Sequence, residues 1–210
     1  MTEGTRPPAA AAFDAIGAAY EQAFAGSAAH RESLTRLLER LDPRSRVLDV
    51  GSGTGRPTAA ALADAGHDVL GVDVSPVMVE LASRRVPGAS FRCADIRALP
   101  LEPGALDAVC VYFALLQMSR GEQTRLVHRL AGALRPGGRL VLATVPLDVE
   151  EVDAEFMGQR VRVTSFGPEA LVALVAGAGL TVEWERHTVF TPDRPGAAPE
   201  PQLFLHCTRG

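Results

Sequence analysis

The chain has 210 residues, enough to bury one sizeable α/β core and short for two. Its 47% hydrophobic and 22% charged residues are ordinary for a globular domain. A net charge of −4, with arginine as the sole basic residue type besides histidine, offers no cationic run of the kind that binds nucleic acid.

No apolar stretch reaches the ~18 residues of a membrane span, and the start of the chain lacks the basic and apolar segments of a secretory leader. The reading is a cytoplasmic protein whose partner is a small molecule, neither nucleic acid nor membrane. Cys93, Cys110 and Cys207 are widely spaced and read as buried, reduced thiols. The five histidines show no metal-ligand spacing, so no metal is expected.

Residues 1–12 are rich in Pro and Ala and read as a disordered lead. Two helices follow, Phe13 to Phe24 and Ala29 to Leu41; Leu34, Leu37, Leu38 and Leu41 give the second an apolar face. Segment 13–41 either closes over a ligand seat as a lid or packs on the sheet. Arg46 to Val50 is a short buried strand, cut off by Gly51, Gly53 and Gly55 and followed by a helix from Pro57 through Ala65. A strand, a glycine turn and a helix N-terminus form a ligand seat at the carboxyl end of a parallel strand.

Asp68 to Asp73 is a second strand ending in an acid, and Ser75-Pro76 opens a helix through Arg85. Ser90 to Ala94 and Ala105 to Tyr112 are the third and fourth strands. Ser119 to Leu134 is an amphipathic helix, and Arg135-Pro136-Gly137-Gly138 turns into a fifth strand, Arg139 to Val145. Residues 146–166 break the alternation as an insertion holding a possible short strand pair. A helix from Gly167-Pro168 to about Ala178 follows, then strands Thr181 to Phe190 and Leu203 to Thr208, which suggest an antiparallel finish.

Three acids stand at strand ends. Asp73 lies 22 residues beyond Gly51, the interval that suits a carboxylate accepting both hydroxyls of a ribose. Asp95 is placed to accept from an adenine amine, and Asp49 sits where a ligand ammonium would lie. Each also has a plain reading as a solvated turn residue or a helix cap. Gly51-x-Gly53-x-Gly55 departs from the dinucleotide pattern G-x-G-x-x-G, because Arg56 occupies the place of the third glycine.

Val47-Leu48-Asp49-Val50-Gly51-Ser52-Gly53-Thr54-Gly55 resembles the first motif of class I S-adenosylmethionine-dependent methyltransferases of the small-molecule branch. Gly71-Val72-Asp73-Val74-Ser75-Pro76-Val77-Met78 is similar to the second, and Cys93-Ala94-Asp95-Ile96 to the adenine-contacting segment. Leu106-Asp107-Ala108-Val109 and Leu134-Arg135-Pro136-Gly137-Gly138 resemble the approaches to the fourth and fifth strands. The resemblance implies an α/β, Rossmann-like fold of seven strands in the order 3-2-1-4-5-7-6, mostly parallel, with helices on both faces and an N-terminal helical lid. It implies one domain over 13–210, with 13–41 as lid and 146–166 as substrate-side insertion, and S-adenosyl-L-methionine as cofactor.

The cofactor set so implied is Tyr20, Asp49, Gly51, Ser52, Gly53, Gly55, Asp73, Val74, Met78, Asp95, Ile96 and Tyr112. Gln117, Phe156 and Met157 are the candidates for binding the acceptor. Phe156, Met157 and Phe166 either wall an apolar acceptor pocket or merely close the core. Tyr20, Tyr112 and Gln117 are candidates to point at the reacting centre as base or positioner. The fourth strand continues as Phe113-Ala114-Leu115-Leu116-Gln117-Met118, without the histidine that serves some relatives as base, so no catalytic residue is assigned. The expected activity is methyl transfer to a small molecule such as a secondary metabolite or sugar derivative. The alternative is a cyclisation or rearrangement that uses the bound cofactor without transferring its methyl group.

Overall fold

The structure is a computed structural model and describes residues 8–210. The first helix, α1 (Pro8–Ile16), begins inside the segment expected to be disordered. Four successive alanines behind a proline are strong helix formers with a good first-turn residue, which the reading by composition alone overlooked. Residues 1–7 of that expected lead lie outside the described residues. The helix expected over Phe13 to Phe24 is split: α1 ends at Gly17, which has φ +52°, and α2 (Ala19–Phe24) follows. Next comes α3 (Ala28–Leu38), capped by the Ser27 hydroxyl, which accepts from the His30 N–H.

The alternating core then runs β1 (Arg46–Val50), α4 (Thr58–Asp64), β2 (Asp68–Asp73), α5 (Pro76–Arg85), β3 (Ser90–Cys93), β4 (Leu106–Tyr112), α6 (Arg120–Ala133) and β5 (Leu134–Thr144). Ser119 and Glu122 close a reciprocal capping box on α6. β6 (Val149–Phe156) and β7 (Gln159–Ser165) form a separate antiparallel hairpin, the strand pair expected in the insertion. The chain ends with α7 (Pro168–Gly177), β8 (Leu180–Phe190) and β9 (Glu200–Arg209).

The main sheet has the order β3-β2-β1-β4-β5-β9-β8, parallel as far as β5, with β9 antiparallel between β5 and β8. Numbered among themselves, these seven strands follow the expected order; the hairpin accounts for the two extra numbers. β5 begins five residues earlier than expected, and a register shift between Leu106 and Ala108 absorbs the Pro136–Gly138 segment.

Side chains alternate across the sheet, so each strand feeds two cores. Leu48, Val50, Val109, Val111, Leu140 and Leu142 pack on one face against α6 and α7. Val47, Ala108, Cys110, Val141 and Phe204 pack on the other against Leu34 and Leu37 of α3 and Leu62 of α4. Cys110 and Cys207 are buried thiols, as expected; Cys93, expected to be buried too, is exposed, because it ends the edge strand β3. Among the described residues no helix is long and apolar enough to cross a membrane, and no cluster of three His, Cys, Asp or Glu side chains is placed to hold a metal ion.

Candidate functional site

The carboxyl ends of β1, β2 and β4 open onto a cleft of about 440 Å³. Its floor is the glycine turn after β1. Gly51 has φ +66°, and a Cβ there would lie 2.4 Å from the Cβ of Ala114 on the next loop. Gly53 has φ +52° and open space where a side chain would stand, so its backbone can meet a ligand directly.

Asp73, at the end of β2, lines this cleft and is held by two backbone donors. The Gly53 N–H donates to Oδ2 at 2.9 Å and the Ser75 N–H to Oδ1 at 2.9 Å. Burial raises its pKa, and these amides work against that rise. Asp73 braces the turn into α5, and it still faces the cleft. Ser75 itself caps α5, accepting from the Met78 N–H at 3.1 Å.

Asp49 lies beneath the turn, buried on the sheet face covered by α3 and α4, and its Oδ2 has no hydrogen-bond partner. Burial, with the neighbouring Asp73 charge second, pushes its carboxyl up to about 8. A buried, unpartnered acid beneath a cleft is a seat for a positive charge. The Ser52 hydroxyl beside it is likewise buried and unpartnered.

Asp95 also lines the cleft, but its carboxylate is gripped by Arg97, with Nη2 to Oδ2 at 2.7 Å and Nε to both oxygens at 3.0 Å. Arg97 reaches on to Glu122 at 2.5 Å. The Arg97 guanidinium holds the Asp95 carboxyl below its ordinary range. This fork, linking the third acid to the capping box of α6, was not foreseen.

Helices α1 and α2 form the far wall. Phe13 and Tyr20 line the cleft, and two polar links tie the pair of helices to the loops that carry the site. The Ser75 hydroxyl donates to Asp14 at 2.5 Å, and the Thr54 hydroxyl donates to Glu21 at 2.8 Å, with Arg85 also bonded to Glu21. Of the expected lid, α1 and α2 border the site, whereas α3 packs on the sheet.

Beyond this cleft, and sharing Phe13, Tyr20, Phe113 and Gln117 with it, lies a second cavity of about 170 Å³. Phe24, Phe156 and Leu147 add apolar walls, and Glu200 at the start of β9 is a carboxylate on its rim. Tyr20 stacks on Phe24 at 4.8 Å between ring centroids, and both rings meet Phe156 at 6.3 and 6.0 Å.

The structure thus brings Tyr20, Gly51, Gly53, Asp73, Val74, Met78, Asp95, Ile96, Tyr112 and Gln117 to the first cleft, and Phe156 to the second. Asp49, Ser52 and Gly55 lie behind the cleft surface rather than on it. Met157 sits in the hairpin turn with φ +51°, outside the lining of either cavity, because the tip of a hairpin points away from the sheet end it covers. Phe166 is partly buried against the α6–α7 core and reaches neither cavity. The base role weighed for two tyrosines does not fit their surroundings. Burial raises the Tyr20 phenol far above its usual value, with Glu200 and Asp73 adding to the rise. The Tyr112 hydroxyl is bonded to Ser33 at 2.9 Å and is also pushed well up by burial.

Phe113, Ala114, Arg97 and Glu200 were missed. Phe113 and Ala114 directly follow a strand whose end was already marked, so adjacency was a usable signal. Glu200 comes from a strand about 150 residues away in sequence from the glycine turn, and only sheet pairing delivers it.

Residues 47–138 match the methyltransferase domain family. Over 101 residues the chain is 38% identical to a demethylmenaquinone methyltransferase of Renibacterium salmoninarum, covering 48% of this chain and 41% of that one. The chain spans about two fifths of the length of the curated relatives it first matches. Among solved structures it superimposes on a Burkholderia thailandensis 1,6-didemethyltoxoflavin-N1-methyltransferase with its substrate and S-adenosylhomocysteine bound. The TM-score is 0.71 at 22% identity, over 100% of this chain and 92% of that one. It also superimposes on the [4+2]-cyclase SpnF, with a TM-score of 0.74 at 22% identity over 98% and 97% of the two chains. Both likenesses are of fold.

Proposed function

We propose that this chain is a class I S-adenosylmethionine-dependent methyltransferase, a reading its matching domain and relatives support, and that it methylates a small apolar molecule held in the second cavity. The observation that carries the reading is the cleft over Gly51 and Gly53, with Asp73 on its wall, running directly into an aromatic cavity.

The residues fit an adenosyl amino acid. The unpartnered Asp49 and Ser52 oxygens beneath the turn suit a cationic amino-acid end, and Asp73 retains lone pairs for ribose hydroxyls beyond its two backbone donors. Met78 and Ile96 supply apolar contacts for a flat base. When bound, the cofactor supplies an already activated methyl group on a cationic sulfur. The protein therefore has mainly to align donor and acceptor and exclude water. Phe13, Tyr20 and Phe113 serve that end, since they wall both cavities where they meet. Tyr20 stays protonated and acts as a hydrogen-bond donor or a wall rather than as a base.

The demethylmenaquinone and didemethyltoxoflavin enzymes, named for ring-bearing substrates, support an acceptor of that size class. The test has two stages. Calorimetry should show S-adenosylmethionine and S-adenosylhomocysteine binding and no binding of NAD. Incubation with labelled methyl donor and small-molecule extracts should then yield S-adenosylhomocysteine with a labelled product. NAD binding in place of the adenosyl ligands would sink the cofactor reading. Conversion of an acceptor without any S-adenosylhomocysteine would mark a cyclisation or rearrangement instead.

A further inference from the structure

The second cavity is almost wholly apolar, yet one of its two carboxylates is half withdrawn from water and fixed in place. Glu200 opens β9, and its Oε1 accepts from Gln202 Nε2 at 2.9 Å. Gln202 is itself buried, at 1% exposure, so this donor is rigid. The bond leaves Oε2 and its lone pairs for another donor. The other carboxylate, Glu155 on β6, is exposed to solvent.

We propose that Glu200 determines which acceptor this protein takes, by accepting a hydrogen bond from a hydroxyl or amine on a flat, ring-bearing molecule laid against the aromatic wall of Tyr20, Phe24, Phe113 and Phe156. The proposal rests on the functional reading above and adds the chemical class of the acceptor. Tyr20, Phe24 and Phe156 touch one another, with 4.8 to 6.3 Å between ring centroids, and so form a continuous aromatic wall on which a planar guest packs better than a branched aliphatic one. A carboxylate in such a place costs desolvation energy unless something donates to it, and an acceptor bearing O–H or N–H recovers that cost.

The groups facing Glu200 are few. Tyr20 approaches from α2, Arg194 from the loop before β9, and Glu155 from the hairpin. Burial raises the Glu200 pKa above its usual 4.5, against the pull of Gln202 and Arg194. Hydrogen-bond acceptance through an ionised Glu200 therefore grows as pH rises through the carboxylate's titration and is lost below it.

The probes are 2-naphthol and 2-methoxynaphthalene, which share their rings but differ in the O–H. Binding to the full chain in saturating S-adenosylhomocysteine is followed by fluorescence. We expect 2-naphthol to bind at least tenfold tighter than the ether at neutral pH, with an advantage that shrinks on acidification. Glu200→Leu should reduce the advantage below twofold. Glu200→Gln should keep a part of it, since its carbonyl still accepts, but without the pH dependence. Retained S-adenosylhomocysteine affinity in both variants certifies the fold and the first cleft. Equal affinities in the unsubstituted protein, or an advantage undiminished in Glu200→Leu, would overturn the role of Glu200. Binding of neither probe would overturn the ring-bearing class. Failure of S-adenosylhomocysteine to bind at all would bring down the underlying functional reading instead, so the two failures are distinguishable.

Discussion

The two faces of the main sheet are built from different chemistry. The face under α6 and α7 is apolar, with Leu48, Val50, Leu130, Leu140, Leu142 and Leu205 all at 1% exposure or less and the Cys207 thiol buried among them. The face under α3 and α4 interrupts its Val47, Leu37 and Phe204 with polar groups. Asp49 is buried there, and Ser33 links the Tyr112 hydroxyl at 2.9 Å to His206 Nε2 at 2.8 Å. His30 stacks on Tyr112 at 4.0 Å and reaches Thr58 at 3.1 Å. One face gives stability through burial, which is indifferent to pH. The other gives up part of that stability to hold a buried acid and a polar chain beneath the cleft, because oriented groups near a site must be fixed from below.

The comparison breaks most visibly on the apolar face. Leu130→Ala should cost about 2–5 kcal/mol of unfolding free energy, through lost transfer energy and a cavity in a closely packed core. Denaturant titrations at several pH values should show the same loss at each, and a loss that varied with pH would mean that the face is not inert.

Asp73→Ala tests the strand ends between the two faces. If the carboxylate takes ribose hydroxyls, S-adenosylhomocysteine binding should weaken by about 3 kcal/mol, a hundredfold or more. The Gly53 and Ser75 amides also lose their acceptor, so the apo protein should lose about 1–2 kcal/mol as well. Calorimetric affinity and a melting curve on the same variant separate the two effects, and intact affinity would leave Asp73 purely structural.

The polar face should announce itself in pH. Burial holds His30 and His206 near 4, below their usual 6.5. Their contribution is complete above pH 6.5 and is lost as pH falls towards 4. Asp49 acts in the opposite sense. With its carboxyl raised from 3.8 to about 8, it contributes fully below pH 3.8 and loses that contribution as pH rises through 8. Asp49→Asn should therefore flatten the alkaline side of the stability profile between pH 4 and pH 8. A profile unchanged by the substitution would show that Asp49 is compensated in the apo protein.

The smallest effect belongs to a cap remote from the buried polar chain. Ser119→Ala opens the capping box on α6 and should cost about 1 kcal/mol with affinity for the adenosyl ligand unchanged. A larger loss of affinity would mean that the Glu122–Arg97–Asp95 chain transmits the cap to the cleft.

Much of this was legible from local pattern. Alternation of apolar runs with amphipathic helices marked β1 to β5, and the spacing of Gly51, Gly53 and Asp73 marked the cleft. The same method missed α1, where composition was read as disorder, and did not separate α1 from α2 at Gly17. It also placed Met157 in the pocket, since a loop's sequence does not say which side of its turn faces inward. Arg97 escaped notice because a lone arginine in a loop has no periodic signature, and its role arises only when Glu122 is brought beside Asp95.

The sequence by itself determined the strand–turn–helix units and the residues at their ends, because those depend on chain-local sterics and on the period of burial. It showed too that Gly51-x-Gly53-x-Gly55, with Arg56 next, is not the glycine spacing of a dinucleotide turn. The tertiary structure alone decided what the second cavity is made of. Its walls come from α1, α2, the segment after β4, the β6–β7 hairpin and the first residue of β9. No periodicity links these segments; they meet because β9 inserts antiparallel between β5 and β8, which carries Glu200 to the same end of the sheet as Gly51.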